Sequence, residues 1–178
     1  MIEIDHFDGN PVFQKRAVDI FFPADAQHDF PVAMQISKKY DIIFMVTKFG
    51  YVHLYDLETG ICLFMNRVSS ETIFVTSEIE SNGGILGVNR KGLALSISID
   101  ENKLVSYVMS QLNNIELAYR MAIRNSLPGA DGLVLERFNQ CCNQGNFSEA
   151  AKIAANSPKV IRMHHLLMND ISCFDSFF

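Results

Sequence analysis

Short apolar runs separated by turn residues fill the first hundred positions, and a helical rhythm takes over after them. Residues 17–22, 32–36, 42–47, 51–55 and 61–65 are rich in Val, Ile, Phe and Tyr, which suit a pleated, half-buried surface. Pro23, the run Asp29, Phe30, Pro31, and the glycine turns ending at Gly50 and Gly60 punctuate these segments. Loops this short predict antiparallel meanders.

The strand region repeats itself. The run IFMVTKFGYVHL at 43–54 aligns with ILGVNRKGLALS at 85–96, so that Gly50 falls on Gly92, Val46 on Val88 and Lys48 on Arg90, an offset of 42 residues. Val32 falls on Phe74 and Met34 on Thr76 at the same offset. A period of about 40–45 residues holding four strands predicts a propeller blade. Each glycine supplies the permissive backbone that a tight hairpin needs between the second and third strands of its blade. Residues 32–65 make one full blade, 73–99 give three strands of the next, and 2–22 give two strands of the one before. About two blades cannot close a ring, so open strand edges and a tendency to self-associate are expected.

From about Asn102 the period becomes helical. Leu104, Tyr107, Val108 and Leu112 share one stripe; Leu117, Met121 and Ile123 form another, with small Ala118 and Ala122 between them. Asn113 stands three residues before Glu116, the spacing of a capping box, and Pro128-Gly129 is expected to end that helix. A further helix is expected from near Asp131 to Gln144, stopped by Gly145. The cap spacing recurs from Asn146 to Glu149 before the last helix, which Pro158 closes. Short helices joined by short loops predict antiparallel pairs of an α-solenoid. The expected domains are a partial propeller at 1–101, a helical linker at 102–158, and a divergent, poorly ordered tail at 159–178.

Composition removes several functions. Fifteen Lys and Arg against 20 Asp and Glu give a formal net charge of −5, and a nucleic-acid binder needs a basic face that this balance does not supply. The densest basic cluster, Asn89, Arg90, Lys91, reads as a hairpin tip. No N-terminal basic-then-apolar leader and no apolar stretch of membrane-spanning length are apparent, so the chain is expected in the cytoplasm. Cys62, Cys141, Cys142 and Cys173 lack metal-ligand spacing, and neighbouring cysteines on a helix diverge by about 100°. Reduced thiols are expected.

No catalytic constellation emerges: no catalytic, cofactor-binding or metal-binding residue is assigned, no cofactor is expected, and the peptide-binding residues stay open. His53 is expected to face solvent or a neighbouring strand. His164 and His165 are adjacent and poorly spaced for chelation. Asp56 and Glu58 flank a turn and read as a hairpin cap. Gly83, Gly84 and Gly87 stand before a strand rather than a helix, unlike a phosphate-cradling loop. Met34, Met45, Met65, Met109 and Met121 read as core filler.

Seven runs carry a resemblance: KRAVDIFFP (15–23), DFPVAMQIS (29–37), GYVHLYDLETG (50–60), ETIFVT (71–76), GVNRKG (87–92), LAYRMAIRN (117–125) and QGNFSEAAKIAAN (144–156). In this order and spacing the chain resembles the clathrin heavy chain family from Phe13 to about Pro158. The resemblance implies a β-then-α fold: about two blades of a seven-bladed, WD-like propeller, then the short helices that begin an α-solenoid leg. It implies a structural, non-enzymatic role in vesicle-mediated transport and endocytosis, cytoplasmic and peripheral to membranes at coated pits and coated vesicles. The implied partners are adaptor-protein peptides and other clathrin chains, with no nucleic acid and no membrane insertion. The light-chain-binding and trimerisation regions, and the principal peptide groove of the first blades, have no counterpart here. A weaker peptide groove between the two blades is expected. A propeller scaffold outside coats, or a truncated product without function, is the competing reading.

Overall fold

The computed structural model describes residues 17–157. Expectations that fall on 2–16, on Pro158, on Cys173, on His164-His165 and on the tail 159–178 lie outside the described residues. The chain divides into two compact units between Ile99 and Asp100, described in turn.

The first unit holds two antiparallel sheets. Strands β1 (Pro31–Ser37), β2 (Ile42–Thr47), β3 (Tyr51–Asp56) and β4 (Cys62–Arg67) pair in chain order; β5 (Ile73–Ile79), β6 (Gly84–Asn89) and β7 (Ala94–Ile97) form the second sheet in the same manner. This is one full blade and three strands of the next, as the sequence pattern predicts.

The 42-residue offset holds at the level of single backbone groups. Gly50 and Gly92 have φ of 80° and 77°, a region that costs a side-chain-bearing residue roughly 1–2 kcal/mol. Asp41 and Gly83, also 42 apart, have φ of 51° and 64°. The Lys48 N–H donates to the Phe30 carbonyl at 2.9 Å, and the Arg90 N–H to the Thr72 carbonyl at 3.0 Å. In the first blade the register skips Val32, between Pro31 and Ala33; in the second it skips Phe74, between Ile73 and Val75. Each blade therefore opens with a bulge at the same place.

The expected strand at 17–22 is not formed: these residues carry no ladder pairing. Among the described residues no strand pairs with it, and β propensity by itself does not supply a ladder. It lies instead beside the first sheet, with the Phe22 ring 5.8 Å from the His53 ring.

Register assigns the faces. Met34, Ile36, Ile43, Met45, His53 and Tyr55 share one face of the first sheet; Ala33, Gln35, Phe44, Val46, Val52 and Leu54 share the other. The second face meets the neighbouring blade, where Gln35 Nε2 donates to the Thr76 carbonyl and to its Oγ1, both at 3.2 Å. Phe44, Val46, Val52, Ile73 and Ile85 are buried. At roughly 1.5–3 kcal/mol for each large side chain fully buried, they hold the two sheets together.

The helical unit contains α1 (Glu101–Gln111), α2 (Ile115–Arg124), α3 (Ala130–Asn143) and α4 (Phe147–Asn156), each packed on the next. Leu104, Val105 and Val108 of α1, and Leu117, Ala118, Met121 and Ala122 of α2, are buried. Ile123 instead sits at the exposed margin of its stripe. Val134, Phe138, Cys141, Cys142, Ala150 and Ile153 form a core between α3 and α4.

Two helix boundaries differ from expectation. The N-cap of α2 is Asn114, whose Oδ1 accepts the Leu117 N–H at 3.0 Å, rather than Asn113. Asn113 takes φ 48°, a left-handed turn that asparagine tolerates better than most residues, and so shifts the cap by one. Pro128-Gly129 does not end α2, which stops at Arg124. Gly129, at φ 88°, is the N-cap of α3. Asn146 caps α4 through the Glu149 N–H at 3.3 Å.

Candidate functional site

Among the described residues of the first unit, the side chains singled out in the sequence do not gather in one place. Asp56 Oδ2 accepts from the Thr59 N–H at 2.8 Å and from Thr59 Oγ1 at 2.7 Å, closing the β3–β4 turn. The Asn89 Oδ1 accepts the Lys91 and Leu93 N–H groups, both at 3.0 Å, and Lys91 pairs with Glu71 at 3.0 Å. That basic cluster is a hairpin tip. Gly84 is the first residue of β6. Gly87 lies inside the strand rather than before it, because a Cβ there would stand 2.8 Å from Ile73 Cγ2.

Of the two environments expected for His53, solvent or a neighbouring strand, the structure removes the solvent: the residue is 0% exposed and stands between Met45 and Met65 of the flanking strands. On its face of β3 the imidazole stacks beside Tyr55 of the same strand, and the Phe22 ring lies over it edge-on. Its Nδ1 lies 3.4 Å from Tyr55 Oη, and its Nε2 meets no hydrogen-bond partner among the described residues. Burial lowers its pKa below the ordinary 6.5, and the charge of Asp29 opposes this in part. Burial also pushes the Tyr55 hydroxyl up to about 12.

The methionines divide. Met45 and Met121 are core residues, Met65 and Met109 are half-buried, and Met34 is 61% exposed. Met34 stands on an edge strand, on the face turned away from the neighbouring blade. Cys141 and Cys142 are both buried, while Cys62 is exposed. Among the described residues no group of His, Cys, Asp and Glu could hold a metal ion, and no helix is long and apolar enough to cross a membrane.

In the helical unit, Glu116 Oε1 accepts from Arg120 Nε at 3.1 Å and its Oε2 accepts from Arg137, tying α2 to α3. Burial pushes the Glu116 carboxyl up, but the two guanidinium groups outweigh it and hold it below its ordinary value. The Arg137 guanidinium also lies 4.8 Å from the Tyr119 ring centre. The cluster joins the two helices.

What the first unit does present is a cleft between its two blades, about 420 Å³ in volume and lined by Lys48, Thr72, Phe74 and Arg90. Lys48 is held near it by the β2–β3 hairpin and lies 5.2 Å over the Phe30 ring. Arg90, its counterpart 42 residues on, occupies the same position of the β6–β7 hairpin. Phe74, the bulge residue of β5, is 60% exposed. Two cations around an exposed aromatic ring suit an extended peptide that offers a carboxylate and an apolar side chain. Sequence reasoning foresaw a groove between the blades without its residues. Lys48 with Arg90 and Val32 with Phe74 were legible as repeat pairs, but that Phe74 belongs to a bulge and lies exposed was not.

Comparison with known proteins agrees with this architecture. The clathrin propeller repeat matches residues 23–58, the clathrin heavy-chain linker 101–124, and the Clathrin-H-link family 126–168. The clathrin heavy chain of Drosophila melanogaster is 54% identical over 154 residues, covering 86% of this chain. That of Dictyostelium discoideum is 52% identical over 159 residues, covering 89%, and clathrin heavy chain 2 of Homo sapiens 51% over 153 residues, covering 86%. The chain spans 9% of the length of each of these relatives. A propeller repeat followed by both linker families, in the order of the sheets and helices seen here, makes this chain a member of the clathrin heavy chain family.

Proposed function

We propose that the chain is a structural, non-enzymatic part of a clathrin-type coat, in which blades joined to short helices act as scaffold and docking surface. The carrying observation is the similarity to clathrin heavy chains over most of the chain. The corresponding domains are a partial propeller at 1–101, a linker at 102–158 and a divergent tail at 159–178. The corresponding partners are adaptor peptides and other clathrin chains, met in the cytoplasm at coated membranes.

Within that role the cleft between the blades receives short segments carrying acidic and apolar residues. Lys48 and Arg90 attract the carboxylates, and Phe74 contacts the apolar side chain. Fluorescence anisotropy with a labelled peptide of alternating Leu and Asp tests the reading. The Lys48→Glu, Arg90→Glu double variant is expected to weaken binding at least about tenfold, equivalent to about 1.4 kcal/mol, and added salt to weaken the wild type. Binding that is indifferent to both substitutions would place the peptide elsewhere.

A further inference from the structure

The hairpin mouths of the two blades share a backbone and differ in what fills them. In the first blade the carbonyl that accepts the Lys48 N–H belongs to Phe30; in the second, the carbonyl that accepts the Arg90 N–H belongs to Thr72. Phe30 and Thr72 are 42 residues apart, as are Lys48 and Arg90. The Phe30 ring lies under the Lys48 ammonium, 5.2 Å from ring centre to Nζ, and the negative face of the ring attracts the cation. Thr72 has no ring to set under Arg90. Both members of that second pair line the 420 Å³ cleft. Phe74, which stands where the first blade has Val32, lines it too.

The acids close by are turned elsewhere. Asp29 and Glu71 are also 42 apart, and each engages the residue that follows the cation. Asp29 Oδ1 accepts the Phe49 N–H at 3.0 Å, while Glu71 pairs with Lys91 at 3.0 Å. Among the described residues neither Lys48 nor Arg90 pairs with a carboxylate. The cleft therefore keeps two positive charges beside an aromatic ring, and a carboxylate next to an apolar side chain complements it.

We infer that Thr72 is the residue that opens this cleft to a peptide, and that it does so by its size. The inference rests on the reading of the cleft as a site for acidic and apolar segments. A phenylalanine at 72 would put a ring beneath Arg90 as Phe30 does beneath Lys48. That ring would cover the guanidinium face and take the room in which the peptide's apolar side chain meets Phe74. With threonine there, the room stays open and the guanidinium fork remains available to a carboxylate. Phe74 supplies the contact, Lys48 and Arg90 the charge, and Thr72 the space.

Fluorescence anisotropy of the full chain with the labelled Leu and Asp peptide tests this. Thr72→Phe is expected to weaken binding at least about tenfold, and Thr72→Val, which keeps the shape and loses the hydroxyl, to stay within about twofold of wild type. Thr72→Leu is expected to fall between them. Circular dichroism melts accompany each variant. The first blade already carries phenylalanine at this place, and Thr72→Leu serves if the larger ring unfolds the unit. Binding that is lost in the Lys48→Glu, Arg90→Glu variant but unmoved by Thr72→Phe and Thr72→Leu overturns this inference and leaves the cleft reading standing. Equal losses in Thr72→Val and Thr72→Phe overturn it as well, because the peptide then needs the hydroxyl and not the room. A wild type that binds no peptide overturns both readings together.

Discussion

Gly50 and Gly92 occupy equivalent hairpins at nearly the same φ, yet their surroundings differ, and replacing each by Ala separates backbone strain from steric overlap. At Gly92 nothing lies within 4 Å of an added Cβ. Gly92→Ala therefore costs only the left-handed conformation, about 1 kcal/mol. At Gly50 the same methyl group would stand 2.2 Å from the Ser69 carbonyl oxygen and 2.9 Å from its carbon. That backbone cannot simply retreat. The Val68 and Ser69 N–H groups donate to the Gly50 carbonyl at 2.9 and 3.2 Å, and Ser69 Oγ accepts from Asn89 Nδ2 at 3.3 Å. Moving the segment loosens two or three hydrogen bonds at about 1 kcal/mol each. Gly50→Ala is thus expected to cost about 3–4 kcal/mol. Thermal unfolding followed by far-ultraviolet circular dichroism reads the difference. For a unit of this size about 1 kcal/mol moves the Tm by roughly 4–8 °C, so Gly92→Ala shifts it modestly and Gly50→Ala several times further. Equal shifts would refute the argument that the Ser69 carbonyl, rather than φ, governs the first hairpin.

Further outcomes are expected elsewhere. Because burial lowers the His53 pKa, the unfolded chain binds the proton more readily, and stability present above pH 6.5 is lost as pH falls below it. The loss is at most about 1.4 kcal/mol per pH unit. His53→Met, matching its cross-strand neighbours Met45 and Met65, should flatten that slope in urea titrations at pH 7 and pH 5, and an unchanged slope would acquit the histidine. Asn114→Ala should cost the helical unit about 1 kcal/mol through its lost cap, whereas Asn113→Gly should be neutral or slightly stabilising at its positive φ; the reverse order in thermal melts would restore Asn113 as the cap. Phe138→Ala should cost about 3–5 kcal/mol by opening a cavity between α3 and α4, and a loss under 1 kcal/mol would show that the helices close over it.

The propeller was legible because its period is carried by residues with backbone duties. Gly50 and Gly92 are needed at positive φ, and the strands between them alternate about a fixed register. The helices were legible because Leu104, Val108, Leu117 and Met121 recur at helical spacing. Boundaries failed where two adjacent residues competed for one role, as Asn113 and Asn114 did, and where Pro128-Gly129 punctuated the next element instead of the last. Burial was misjudged at Met34, and at His53 in its solvent alternative, for one reason. Alternation gives the two faces of a strand, but which face is covered depends on the neighbouring blade and on residues 17–22, and neither contributes to the local pattern. A groove between the blades was expected without lining residues, because which side chains of two blades meet is not written in the pattern of either one.

That bulge separates two tasks that most strand positions must perform together. Val32 and Phe74 are skipped by the register of their sheets, so neither has a cross-strand partner to satisfy. A ladder position that changes its side chain disturbs the residue opposite. These two positions are spared that coupling, and they hold the same place in both described blades. Variation in what a blade grips can therefore accumulate at one residue per blade while the architecture stays constant. A family of such rings can diversify its contacts without renegotiating its fold.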